Sequence, residues 1–186
     1  MILLLMNKKE INMKTMISLF VTAVFTFSSM NVLADPAPFG LELGKAKIAD
    51  MEKKYTAKYT GINKYSSGKM YTLEPSELGV SGISSATVIF DKNSKLVAVL
   101  TSLSKNRFDD LYRSLSSKYR VKSKLLPFVG NKKVVMIDGK TEVTLDSPHL
   151  SFSMDLNYIN TDFYKNFQKI DRAEKAAKKR AENALL

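Results

Sequence analysis

Cysteine is absent from the 186-residue chain, and histidine occurs once. The first absence excludes disulfides, iron–sulfur clusters, thiolate zinc sites and cysteine nucleophiles. The second excludes any site built on two imidazoles. Beyond the first 34 residues no apolar run approaches the ~20 residues of a membrane-spanning helix. What remains is ordinary globular material, 45% hydrophobic and 25% charged. Its charge is lopsided: 29 Lys and Arg against 18 Asp and Glu, with a pI near 9.7. Such a balance favours anionic surroundings without naming a partner.

Residues 1 to 34 read as a targeting segment. Lys14 supplies a positive start, Met16 to Phe27 is mostly apolar, and Val32-Leu33-Ala34 has the side chains of a signal-peptidase site. Cleavage is expected after Ala34, leaving Asp35 as the new terminus, and Met13 opens a better signal than Met1. An exported chain without cysteine fits a bacterial periplasm, where disulfides are permitted but not required. Without a cysteine after the apolar run, a lipid anchor is excluded.

Self-similarity is visible at an offset of sixty. Lys45, Asp50, Lys58, Tyr59 and Lys64 recur as Lys105, Asp110, Lys118, Tyr119 and Lys124. Both segments carry one apolar stripe at helical spacing: Ile48, Met51, Tyr55 and Tyr59, then Phe108, Leu111, Leu115 and Tyr119. Strand-like sequence follows each. Ala86 to Phe90 and Lys95 to Thr101 flank the turn Asp91 to Ser94, and Val134 to Ile137 and Thr141 to Leu145 flank Asp138-Gly139. Leu150 to Tyr158 reads as a closing strand, and Val88 to Asp91 echoes Val143 to Asp146. Gly79 to Ser85 is a flexible approach to the first hairpin and lacks the spacing of a phosphate-binding loop.

The expected fold is therefore α+β, two tandem repeats of a helix plus antiparallel strands with a projecting C-terminal helix. Residues 35 to 160 form a single duplicated domain, with repeats at about 41–102 and 105–158, and 161–186 form the basic helix. Asn160 or Thr161 can cap that helix, and Phe163, Phe167 and Ile170 can dock it. From Arg172 the apolar side is mostly alanine, too thin for a core, so the end projects or serves in oligomerisation.

Leu41-x-Leu43-Gly44-Lys45, followed by a helix bearing Asp50, resembles the opening of bacterial envelope modules of the beta-lactamase-inhibitor-protein type. Small outer-membrane assembly lipoproteins have a similar helix–helix–sheet unit, but this chain lacks their lipidation cysteine and their Gly-x-Pro. It looks closer still to uncharacterised secreted bacterial proteins carrying Pro38-Phe39-Gly40-Leu41 and a Pro-Phe-Val-Gly segment like Pro127 to Gly130. That kinship implies a periplasmic address and no particular chemistry.

Catalytic signatures are missing. His149 stands alone at a strand entry, where a structural hydrogen bond outweighs service as a general base or as a nickel or copper ligand with Met154. Asp109 and Asp110 are adjacent, but neighbouring helical positions diverge by about 100° and cannot converge as a dyad. No catalytic, cofactor-binding or metal-binding residue is assigned, and no cofactor is expected. Charge distribution says more. Residues 92 to 140 hold twelve basic and three acidic residues, whereas the flanking segments 35–91 and 141–186 each balance seven against seven. Alternation predicts Arg120, Lys122 and Lys124 on one strand face, and with Lys132 and Lys133 they form the candidate binding face. The expected function is a non-enzymatic periplasmic binding or inhibitor-type module recognising an anionic envelope component or acidic protein. The alternatives are an envelope assembly factor acting through its C-terminal helix, and a cryptic hydrolase. Nucleic acid is not expected as a partner, because no nucleic-acid motif accompanies the charge.

Overall fold

Short polar turns between alternating segments generate one eight-stranded antiparallel sheet in the computed structural model, which describes residues 35 to 185. The leader expected over residues 1 to 34 lies outside the described residues. The strands are β1 (Ala57–Ile62), β2 (Ser67–Leu73), β3 (Ile83–Asp91), β4 (Leu96–Ser104), β5 (Arg120–Leu125), β6 (Lys132–Asp138), β7 (Thr141–Ser147) and β8 (Ser153–Asn160). Their spatial order is β1-β2-β3-β4-β8-β7-β6-β5, so β1 and β5 are the edges and β4 meets β8 at the centre. Helix α1 (Ile48–Glu52) precedes the first four strands, α2 (Phe108–Ser116) precedes the last four, and α3 (Thr161–Asn183) follows β8.

Cross-strand register makes the two faces explicit. One row runs Tyr71, Val88, Val99, Tyr158, Val143 and Met136 across β2, β3, β4, β8, β7 and β6, and every member is buried. Directly opposed residues share a face, so this row marks the core side. Leu41 and Leu43 from the N-terminal segment, Met51 from α1, Leu78, and Phe108 and Leu115 from α2 complete its cluster. β7 shows the one-sided pattern most plainly: Thr141, Val143, Leu145 and Ser147 are buried and the residues between them are half-buried.

The opposite face is mostly polar and carries only a small apolar cluster, Ile89, Val97 and Ala98, against which Phe163 of α3 packs. Asn160 caps α3, its Oδ1 accepting from the N–H groups of Asp162 and Phe163 at 3.0 and 3.3 Å. Phe167 meets Tyr65 edge-on with centroids 4.7 Å apart, and Asn166 donates to the Tyr65 carbonyl. From Arg172 onward every described residue of α3 is exposed.

Several expectations need adjustment. The first helix is only five residues long, and Tyr59, the last member of its stripe, lies half exposed on edge strand β1. The stripe ends because Thr56 to Ile62 is rich in β-branched and aromatic residues, which favour the pleated strand. Glu77 then anchors the strand entry, its carboxylate accepting from the Thr56 N–H. Burial along the stripes is also crossed: Phe108 and Met51 are buried, whereas their counterparts Ile48 and Leu111 are half-buried. The closing strand begins at Ser153 rather than Leu150, because β4 ends at Ser104, which pairs with Ser153 and leaves nothing to extend the ladder.

Candidate functional site at one end of the sheet

The basic residues singled out by charge divide between the two faces. Arg120 opposes Ile137 on the polar face, and Lys122 reaches Glu142 at 3.3 Å on that side. Lys133 pairs with Asp146 at 2.7 Å, also on that face. Lys124, however, opposes Val134, a fully buried core-side residue, and Lys132 opposes buried Ser147. A bulge between Val121 and Ser123 inserts one extra residue and shifts the phase, which overturns the alternation expected for Arg120, Lys122 and Lys124. Arg120, Lys122, Lys124, Lys132 and Lys133 therefore do not share one face.

The structure gathers something else at one end of the sheet. Seven large apolar residues stand exposed there: Val80, Leu125, Leu126, Phe128, Val129, Leu150 and Phe152. Leu125 ends β5, Leu126, Phe128 and Val129 follow it, Leu150 and Phe152 lie between β7 and β8, and Val80 stands apart in the β2–β3 connection. Phe128 and Phe152 are 102% and 99% exposed, so neither ring contributes packing to the fold. Turns normally carry polar residues, and an apolar pair of tips marks an interaction surface rather than a connection.

The β5–β6 loop (126–131) and the β7–β8 loop (148–152) are fastened together. The Asn131 side chain accepts from the His149 N–H at 2.7 Å, and Lys105 Nζ donates to the carbonyls of Pro148 and His149 at 2.6 and 2.7 Å. Between the loops and the start of α2 lies a cleft of about 250 Å³, lined by Lys105, Asn106, Phe108, Asp109, Phe128, Gly130, Lys132, Ser147 and His149. Lys132 Nζ sits 5.2 Å from the centroid of Phe108 and 3.9 Å from Asp109 Oδ1. Ser147 is 1% exposed, and its hydroxyl has no partner.

Proton-transfer chemistry finds no such assembly. Asp110 pairs with Arg107 at 2.8 Å, and that hydrogen bond holds its carboxyl below the usual range. Asp109 faces Lys132 instead of joining its neighbour, and Arg113 donates to the Asp109 carbonyl rather than to its carboxylate. No group of three or more metal-ligating side chains comes together among the described residues. Nor is any helix among them long and apolar enough to cross a membrane.

A wider, open cleft of about 510 Å³ lies at the opposite end, between the β1–β2 and β3–β4 turns and the start of α3. Several of its polar groups are spent locally. Asp91 accepts from the N–H groups of Asn93 and Lys95 in its own turn, Ser66 donates to the Phe90 carbonyl, and Asn160 caps α3.

Sequence reasoning placed the apolar tips elsewhere. Pro127 to Gly130 entered only as part of a resemblance, and Leu150 to Phe152 as the beginning of a strand. The available signal was an apolar run interrupted by Pro127 and Gly130, residues that stop a strand and leave its apolar neighbours in a loop. No family model matches the chain, and neither does any curated protein or solved structure.

Proposed function

We propose that the protein is an exported, non-enzymatic binding module of the bacterial periplasm that engages an anionic partner through the apolar end of its sheet. The observation that carries this reading is the pair of fastened loops projecting Phe128, Val129, Leu150 and Phe152 beside Lys105 and Lys132. Contiguous exposed apolar surface is rarely retained by a soluble fold without use. The cations at this end, Lys105, Lys124, Lys132 and Lys133 against Asp109 and Asp146, support an anionic partner. The five cations first singled out then act as a surrounding field rather than as one contact face.

The helix-plus-four-strand halves also support descent from an internal duplication. Ile48 and Phe108, sixty residues apart, each open a helix that leads into a four-stranded meander. That arrangement is in keeping with the resemblance to two-unit inhibitor-type envelope modules.

The test replaces Phe128 and Leu150 with Ser and compares retention of the protein on washed cell-envelope material. Both side chains are exposed, so the melting temperature should hold while retention falls. Unchanged retention would remove the apolar end from consideration. A second reading rests on α3, whose residues from Arg172 project without a covering element. In that case deletion of Arg172 to Leu186, and not the loop substitutions, abolishes retention.

A further inference from the structure

From the chemistry of the two tips we infer that the anionic partner is the surface of a phospholipid bilayer, into which Phe128, Val129, Leu150 and Phe152 insert. This inference rests on the binding reading above and names its partner. Three observations favour a bilayer over a protein. The first is exposure: Phe128 and Phe152 are fully exposed and Leu150 is 93% exposed, on two loops at the same end of the sheet. A protein partner would need matched pockets for each ring, whereas acyl chains accommodate any apolar tip. The second is charge. Lys124, Lys132 and Lys133 stand at the tip end of β5 and β6 and Lys105 lies under the second loop, four cations against the two carboxylates Asp109 and Asp146, so this end suits anionic headgroups.

The third is the cleft at the root of the loops. It brings Lys132 Nζ and the buried, unpartnered Ser147 hydroxyl to one small polar space behind the inserted rings. A headgroup phosphate offers acceptors for the ammonium and for the Ser147 O–H together. Asp109, 3.9 Å from Lys132, is the one carboxylate lining that space, and its side chain is 80% exposed and free to swing outward. The hydrogen bond from His149 N–H to Asn131 links the two loops, so they enter the interface as one unit.

Flotation with lipid vesicles tests this, using the protein purified as the cell delivers it. Vesicles of phosphatidylcholine alone are compared with vesicles of phosphatidylcholine mixed with phosphatidylglycerol. The expected result is binding to the mixed vesicles that weakens with added salt and with phosphatidylcholine alone. Phe128→Ser with Phe152→Ser should weaken binding more than about ten-fold, since two apolar insertions are lost. Lys132→Gln should weaken it on both kinds of vesicle, since each presents a headgroup phosphate, and more on the mixed ones, whose surface is negative. Binding that survives the double tip substitution overturns the inference. So does failure of the intact protein to float with the mixed vesicles. If the protein fails to float yet its retention on envelope material still depends on Phe128 and Leu150, the bilayer is wrong and the binding module stands. Should that retention be independent of both residues, the two readings fall together.

Discussion

Asn131 Oδ1 accepts the backbone N–H of His149 at 2.7 Å, joining the β5–β6 loop to a β7–β8 loop that Lys105 also holds. This bond is the link between the two loops that carry the apolar tips. Asn131→Ala should lower global stability by only about 1 kcal/mol, the net value of an ordinary hydrogen bond. Amide exchange in 126–131 and 148–152 should accelerate far more than in β6 and β7, because the loops are released while the sheet is not. Uniform acceleration across the sheet would show that the bond supports the fold rather than the site.

Phe108 is 4% exposed and lies under the Lys132 ammonium, whereas Leu111, one turn along α2, is only half-buried. Phe108→Ala should therefore destabilise the protein by about 3–5 kcal/mol. Leu111→Ala should cost markedly less, and denaturant unfolding measures both. Equal effects would contradict the orientation of α2 on the sheet.

Tyr158 and Tyr119 meet edge-on with centroids 6.3 Å apart beneath α2. Burial pushes the Tyr158 phenol well above its ordinary value, and the neighbouring Tyr119 phenol pushes it further. Tyr119 is raised by burial and then by the charge of Asp138. Both phenols thus keep their protons more tightly in the fold than in the unfolded chain. Their contribution is complete below the unfolded value of about 10 and declines as pH climbs above it toward the folded values. Tyr158→Phe removes one of these titrations and should make the alkaline fall in melting temperature shallower. A profile as steep as that of the parent protein would exclude Tyr158 as its source.

Among the described residues, removing Arg172 onward takes away exposed side chains and the surface pairs Lys64–Glu174, Lys175–Asp171 and Lys178–Glu182. The change should be below about 1 kcal/mol, as for exposed ion pairs in general. Phe163→Ala should cost more, about 1–2 kcal/mol, because its ring covers Ile89, Val97 and Ala98. Thermal melts of the two variants should rank in that order.

Export makes a simple demand. Intact-mass measurement of the protein from the envelope should give a chain beginning at Asp35, whose carboxylate accepts from the Lys140 N–H at 2.7 Å. A product beginning at Met1 or Met13 would contradict cleavage after Ala34.

Elements whose signal is local were legible before any coordinates. The β6–β7 hairpin follows from Asp138-Gly139, where Gly139 adopts a φ of 53° that other residues resist. The start of α2 follows from Phe108, Leu111 and Leu115 at helical spacing. β1 and β2 were hidden because an edge strand exposes alternate charges such as Lys58 and because Tyr59 extended the helical period by coincidence. The basic face failed for a longer-range reason: its phase depends on a bulge opposite Met136 and Val135, and that is set by pairing rather than by the β5 sequence. The apolar tips were not singled out, since hydropathy reports what a side chain avoids and not where its strand ends.

The central β4–β8 pairing joins residues from the middle and the far end of the described chain. A nascent or translocating chain is delivered N-terminus first, so β1 to β4 emerge long before their last neighbour. Until Ser153 to Asn160 arrive, β4 presents an open flank of unpaired backbone, and so does β7. Long-range closure of this kind is slow, and open strand edges recruit other chains. Folding of this protein is thus gated by its final strand, and the interval before delivery is when a holding chaperone would have most effect on yield.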